Sequence, residues 1–153
     1  MGIVLPVTIQ DGVTDMNAAS VVDNFNYLQA KWPLEMEVGF FIPGPLVVET
    51  QVVRNYVFGR KVELYSIYAQ VKTPSTGADI IIEINKDTTP LTQTITIAEG
   101  AYSAQQSFAA DAGRNYTAAE YLRVDINQVG SAYSEGENLN LIVRFRVHGT
   151  NDT

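Results

Sequence analysis

Residues 139–147, Leu-Asn-Leu-Ile-Val-Arg-Phe-Arg-Val, constrain the fold of this chain more than any other stretch. Leu139, Leu141, Val143, Phe145 and Val147 fall on one side of a two-residue repeat, and Asn140, Arg144 and Arg146 on the other. A strand reads this way when one face packs on a core and the other meets water. Ile142 is the exception, an apolar residue on the polar side, and is expected to be covered by a neighbouring subunit or by the chain's own N-terminal arm.

The same grammar runs from residue 34 onward. Apolar runs at 37–42, 46–53, 62–71 and 79–85 are separated by Pro43-Gly44-Pro45, by the turn 73–78 and by Lys86 to Pro90. Further strands are predicted at 94–98 and 102–109, on either side of Glu99-Gly100, and at 121–129. About eight short strands divided by Gly, Pro and Asn predict an all-β fold, an antiparallel β-sandwich or jelly roll.

The N-terminal segment reads differently. Residues 1–13 predict an extended apolar arm closed by Asp11-Gly12, with Ile3, Val4, Leu5 and Val7 available for strand addition onto a partner. Residues 15–31 predict one short α-helix, capped by Thr14 or Asp15 and stopped by Pro33. Ala18, Val21, Phe25, Leu28 and Trp32 form its apolar stripe. That stripe docks either on the β domain of its own chain or in a short bundle between subunits, with Val21, Phe25, Leu28 and Trp32 as contacts. Two heptads are too few to associate alone, so a bundle requires the β domains to oligomerise too. The expected organisation is an arm and helix at 1–33, a sandwich at 34–149 and a tail at 150–153.

Composition narrows function by exclusion. The net charge is -7 and the ten basic residues are scattered, which argues against nucleic-acid binding. No cysteine is present, so disulfides, thiolate metal sites and cysteine nucleophiles are excluded. Met1 to Val7 lacks a basic n-region, and no apolar stretch approaches the ~20 residues of a membrane span. The expectation is a soluble protein made without export and without a membrane partner.

Candidates for chemistry are few. His148 is alone, beyond the last strand, and no metalloprotease, nucleotide-loop or nucleophile-elbow pattern occurs. Asp111 to Asn115 reads as a turn rather than a calcium loop. Carboxylates are scattered singly; same-face carboxylates such as Glu83 and Asp125 could in principle face each other, but the expectation is that they are solvent-side residues on a water-facing strand. No catalytic residue, cofactor or metal is expected. Tyrosines are numerous, and Tyr102, Tyr116 and Tyr133 are candidates for a shallow binding surface, Tyr133 on a flexible Gly130–Gly136 loop.

The opening Leu5-Pro6-Val7-Thr8, Asp11-Gly12 and the run Asn17 to Leu28 resemble the N-terminal segment of tailed-phage virion proteins. There an extended arm precedes a helix with a V-x-x-N-F-x-x-L core, matched here by Val21, Asn24, Phe25 and Leu28. Ile80 to Lys86, Thr96 to Gly100, Tyr121 to Ser131 and Gly136 to Leu141 are similar to β-sandwich modules of phage fibres, spikes and capsid decoration proteins. The resemblance implies a trimeric, non-enzymatic virion protein. Its partners would be itself and the major capsid protein or another virion protein. A decoration (cement) protein on the outer capsid surface is the first reading. A tail or head fibre, or a receptor-binding adhesin recognising host-cell carbohydrate, is the alternative.

Overall fold

Strand after strand follows from the alternation read above, and the computed structural model describes residues 34–108, 114–131 and 134–147. Nine strands are present among them: β1 Leu34–Pro45, β2 Glu49–Val57, β3 Val62–Thr73, β4 Ile80–Lys86, β5 Thr89–Ile97, β6 Ser103–Ser107, β7 Asn115–Tyr116, β8 Tyr121–Gln128 and β9 Glu137–Val147. No helix occurs among the described residues. The expected arm and helix of residues 1–33, and with them Ile3, Val4, Leu5, Val7, Val21, Phe25, Leu28 and Trp32, lie outside the described residues, as does the 150–153 tail.

The strands form two sheets, β1-β9-β3-β6 with the two-residue β7 also on β3, and β2-β8-β4-β5. Pairing is nested: β4 with β5, β3 with β6, β2 with β8 and β1 with β9. Lateral pairing of β9 with β3 and of β8 with β4 then closes each sheet. The result is an antiparallel β-sandwich.

Inward positions carry the core. Leu64, Ile67, Ala69 and Val71 of β3 meet Leu139, Leu141 and Val143 of β9 across one sheet, over Ile80, Ile82, Ile84, Leu122, Val124 and Ile126 of the other. All are buried. Each such valine, leucine or isoleucine contributes about 1.5–3 kcal/mol by leaving water, and a one-residue slip of any strand would turn its whole set outward. Register is therefore set by the alternation itself.

Strand limits differ most from the sequence-based expectation at three strands. β1 runs through Pro43-Gly44-Pro45 because it is a terminal strand, where a proline without an N–H costs no ladder bond on the open side. β5 begins at Thr89 and contains Pro90 for the same reason, leaving Asp87, at φ 54°, to turn the chain. β2 starts later and ends later than the predicted 46–53. Leu46 is instead buried in the connection, its N–H donating to the Gly136 carbonyl at 2.9 Å.

Candidate functional site

The outer face of the β1-β9-β3-β6 sheet carries two chemically distinct ends. At the first, Arg146 Nε donates to Glu35 Oε1 at 3.2 Å and Arg144 Nε to Glu37 Oε1 at 2.6 Å, which sets β1 antiparallel to β9. Tyr65 lies at a bulge in β3, between the pairs Leu64–Phe145 and Ser66–Arg144. Its hydroxyl donates to Glu35 Oε2 at 3.3 Å, and the Arg146 guanidinium carbon sits 4.8 Å over its ring. Burial raises the Tyr65 pKa above its ordinary value, and the Glu35 charge adds to this. These groups satisfy one another. Exposed pairs of this kind contribute little stability, about 0–1 kcal/mol each.

Ile142 stands in the middle of this face, directly across from Tyr68 of β3, and is half-buried within the chain itself. The β1 register set by the two ion pairs places Gly39 on its other side.

The second end is uncharged apart from Lys72. Gln70 pairs with Asn140 across β3 and β9. Phe41, Gln70, Val71, Lys72, Asn138 and Asn140 line a depression of about 440 Å³. Phe41, on the face that holds Glu35 and Glu37, is 60% exposed. Asn138 has φ 56°, a conformation that asparagine tolerates better than most residues, and its Oδ1 accepts the Gly44 N–H at 3.0 Å.

A second surface lies along one edge of the sandwich. Of the seven large hydrophobic side chains left exposed among the described residues, Leu34, Met36, Phe41, Val47, Val48 and Val57 belong to β1, β2 or their connection, and Tyr102 lies elsewhere. β1 and β2 are the terminal strands of the two sheets. Between them Val38, Phe40, Ile42, Val52, Tyr56 and Phe58 pack on the core but stay partly exposed. Edge-to-face ring contacts run from Phe40 to Tyr56 to Phe58, and from Phe58 to the buried Tyr116 and Phe145.

The carboxylates separate sharply. Glu83 and Asp125 are register partners on β4 and β8, so the sequence places them on one face correctly. Only Glu83 behaves as expected, accepting a bond from Asn127 Nδ2 at 3.0 Å near solvent. Asp125 is buried. Its Oδ1 accepts the Gln51 N–H at 2.6 Å, and its Oδ2 accepts Asn85 Nδ2 at 3.1 Å and Arg123 Nη2 at 2.7 Å. Gln51 reaches it because β2 is irregular there, with Gln51 at φ 62°, Asn55 at φ 47° and two register shifts against β8. Side-chain periodicity carries no trace of such a bulge. These oxygens are occupied by structural bonds, and the geometry is not that of an acid–base pair.

Tyr116 is fully buried, its hydroxyl donating to the Asn85 carbonyl at 3.4 Å. Burial, then the charges of Asp87 and Glu120, raise its pKa far above the ordinary tyrosine value. It therefore lines no surface site. Tyr102 is exposed; Tyr133 and His148 lie outside the described residues. The described parts of the Gly130–Gly136 loop are pinned rather than free: Ser131 N–H donates to the Thr76 carbonyl and Thr76 N–H to the Ser134 carbonyl, both at 2.9 Å. Beside them Glu99 Oε1 accepts the Gly77 N–H at 2.7 Å, and Asp79 Oδ1 accepts the Glu99 N–H at 2.8 Å.

Among the described residues, no group of three or more His, Asp or Glu is placed to hold a metal ion. No described helix is long and apolar enough to cross a membrane. The sequence matches no family model, and no curated protein matches it.

Proposed function

We propose that this chain is a non-enzymatic structural protein of a tailed-phage virion, a homotrimeric decoration protein on the outer capsid surface. Its work is done by contact area. The nested pairing of β1 with β9, β2 with β8, β3 with β6 and β4 with β5 follows the strand order of a jelly roll. That architecture occurs in viral capsid domains and in lectins, so the fold alone decides nothing.

The observation that carries the reading is the apolar edge. Leu34, Met36, Val47, Val48 and Val57 are 42–64% exposed on two adjoining terminal strands and their link. Exposed apolar side chains concentrated in one region mark a surface built to be covered. Open strand edges there add main-chain donors and acceptors for a second chain. In the trimer this edge meets a neighbouring copy.

Sedimentation of the purified chain tests the assembly: a trimer at micromolar concentration is expected, and a clean monomer overturns it. Copy number in purified particles tests the location. Hundreds of copies fit decoration of a shell, whereas a handful would move the protein to the tail or a fibre.

A further inference from the structure

We propose that the depression at the amide end of the β1-β9-β3-β6 sheet binds a saccharide, with Phe41 as its platform and Gln70, Asn138 and Asn140 as its hydrogen-bonding rim. This goes beyond the assembly reading and uses a different surface.

The inference starts from the contrast along one face. Glu35, Glu37, Tyr65, Arg144 and Arg146 bond among themselves. At the other end Gln70, Asn140 and Lys72 line the depression as polar groups, and Asn138 directs its Oδ1 to Gly44, leaving its amide NH2 for a ligand. A primary amide offers two donors and an acceptor in one plane. Sugar hydroxyls both donate and accept, so three such amides around one depression suit them. Among the described residues no carboxylate or guanidinium lines the depression, so these residues make no demand for a highly charged ligand.

Phe41 supplies the apolar part. The face of an aromatic ring carries partial negative charge and attracts the positive edge of a neighbour, here the C–H face of a pyranose. Gly39, two residues before it on the same face, has only the Leu141 carbonyl within 4 Å of where a Cβ would stand, at 3.9 Å. The volume, about 440 Å³, falls within the range of small-molecule sites.

The site is also held in shape. Gln70 and Asn140 sit in a regular stretch of the β3–β9 ladder, from Ile67–Val143 to Val71–Leu139. The Asn138–Gly44 bond and the Leu46–Gly136 bond fix β1 beside it. A dry subunit contact fits poorly here, because burying these amides without partners would cost about 1–3 kcal/mol for each group.

The test is titration of the 15N-labelled full chain with methyl glycosides of glucose, galactose, mannose, N-acetylglucosamine and glucuronic acid, read from amide chemical shifts. At least one probe is expected to shift the amides of Phe41, Gln70, Asn138 and Asn140. Phe41→Ala should weaken that binding about tenfold. Asn140→Ala should weaken it about fivefold. Both positions are exposed, so the sandwich should persist, and unchanged shifts elsewhere confirm it. The proposal is overturned if no probe in the panel perturbs these residues, or if binding is the same in both variants.

Discussion

The two edges of the sandwich are formed by equivalent positions in the two sheets and have opposite surfaces. On one, β5 and β6 present Thr94, Thr96, Ser103, Gln105 and Ser107 to solvent, and Pro90 interrupts the terminal strand. On the other, β1 and β2 present Leu34, Met36, Val47, Val48 and Val57. Hydroxyls, amides and a proline blunt an edge against further pairing. Large apolar side chains invite it. The backbones differ too: β4 and β5 pair with one register shift, whereas β2 is joined to β8 through four register pairs and two shifts. Solubility is kept on one edge and contact area on the other.

The largest expected effect concerns what holds β2. Asp125→Ala removes the buried carboxylate that ties Gln51, Asn85 and Arg123 together and leaves the partly buried Arg123 without its partner. Breaking a buried pair in this way costs about 3–5 kcal/mol, to be read from denaturant unfolding. Its register partner Glu83 serves as control, and Glu83→Ala should stay within about 0.5 kcal/mol. Equal costs at the two positions would mean that the buried tie does not secure the apolar edge.

Next comes the edge itself. The double substitution Val47→Asp with Val48→Asp should raise the dissociation constant of the oligomer about a hundredfold, equivalent to roughly 2.8 kcal/mol. The matching change on the polar edge, Thr94→Asp with Thr96→Asp, should leave sedimentation unchanged. If both variants dissociate equally, the contrast between the edges carries no assembly information.

Two smaller effects depend on pH. The folded-state pKa of Tyr116 is raised, chiefly by burial, so its contribution is fully present below the ordinary tyrosine value of about 10 and is lost as pH rises beyond it. Melting temperature should therefore fall on the alkaline side, and Tyr116→Phe should flatten that fall while costing about 1 kcal/mol at neutral pH through the lost bond to Asn85. Phe58 joins Tyr116 to the apolar edge, so this substitution reports on that side of the sandwich.

Glu120 shows the reverse sign. Its pKa is lowered, first by the Thr117 N–H at 2.7 Å and then by Lys86 at 3.2 Å, so its contribution is present above the ordinary glutamate value of about 4.3 and is lost as pH falls through the lowered one. Glu120→Gln should reduce acid sensitivity by no more than about 0.5 kcal/mol, measured as melting temperature between neutral and acid pH.

Much of the sandwich was legible in the chain alone. The alternation at 121–129 and 139–147 located β8 and β9, and the turn signals at 73–78 and 99–100 located two connections. Asn140 was legible only as a polar-side strand residue and Phe41 only as part of an apolar run, because β1 and β3 are far from β9 in sequence and meet it only through sheet pairing. Tyr116 was misplaced for a related reason. A lone tyrosine between turns carries no period, and only the packing of Phe58 and Asn85 around it decides that it is inside.

The division is physical. A two-residue repeat of apolar side chains dictates strands, faces and register locally, since burying one set and wetting the other is favourable in any sandwich. Which strands become edges, which carboxylate is enclosed by a bulge, and which surface amides surround an exposed ring depend on contacts between residues up to 111 positions apart, as between Glu35 and Arg146. Those were decided by the tertiary structure.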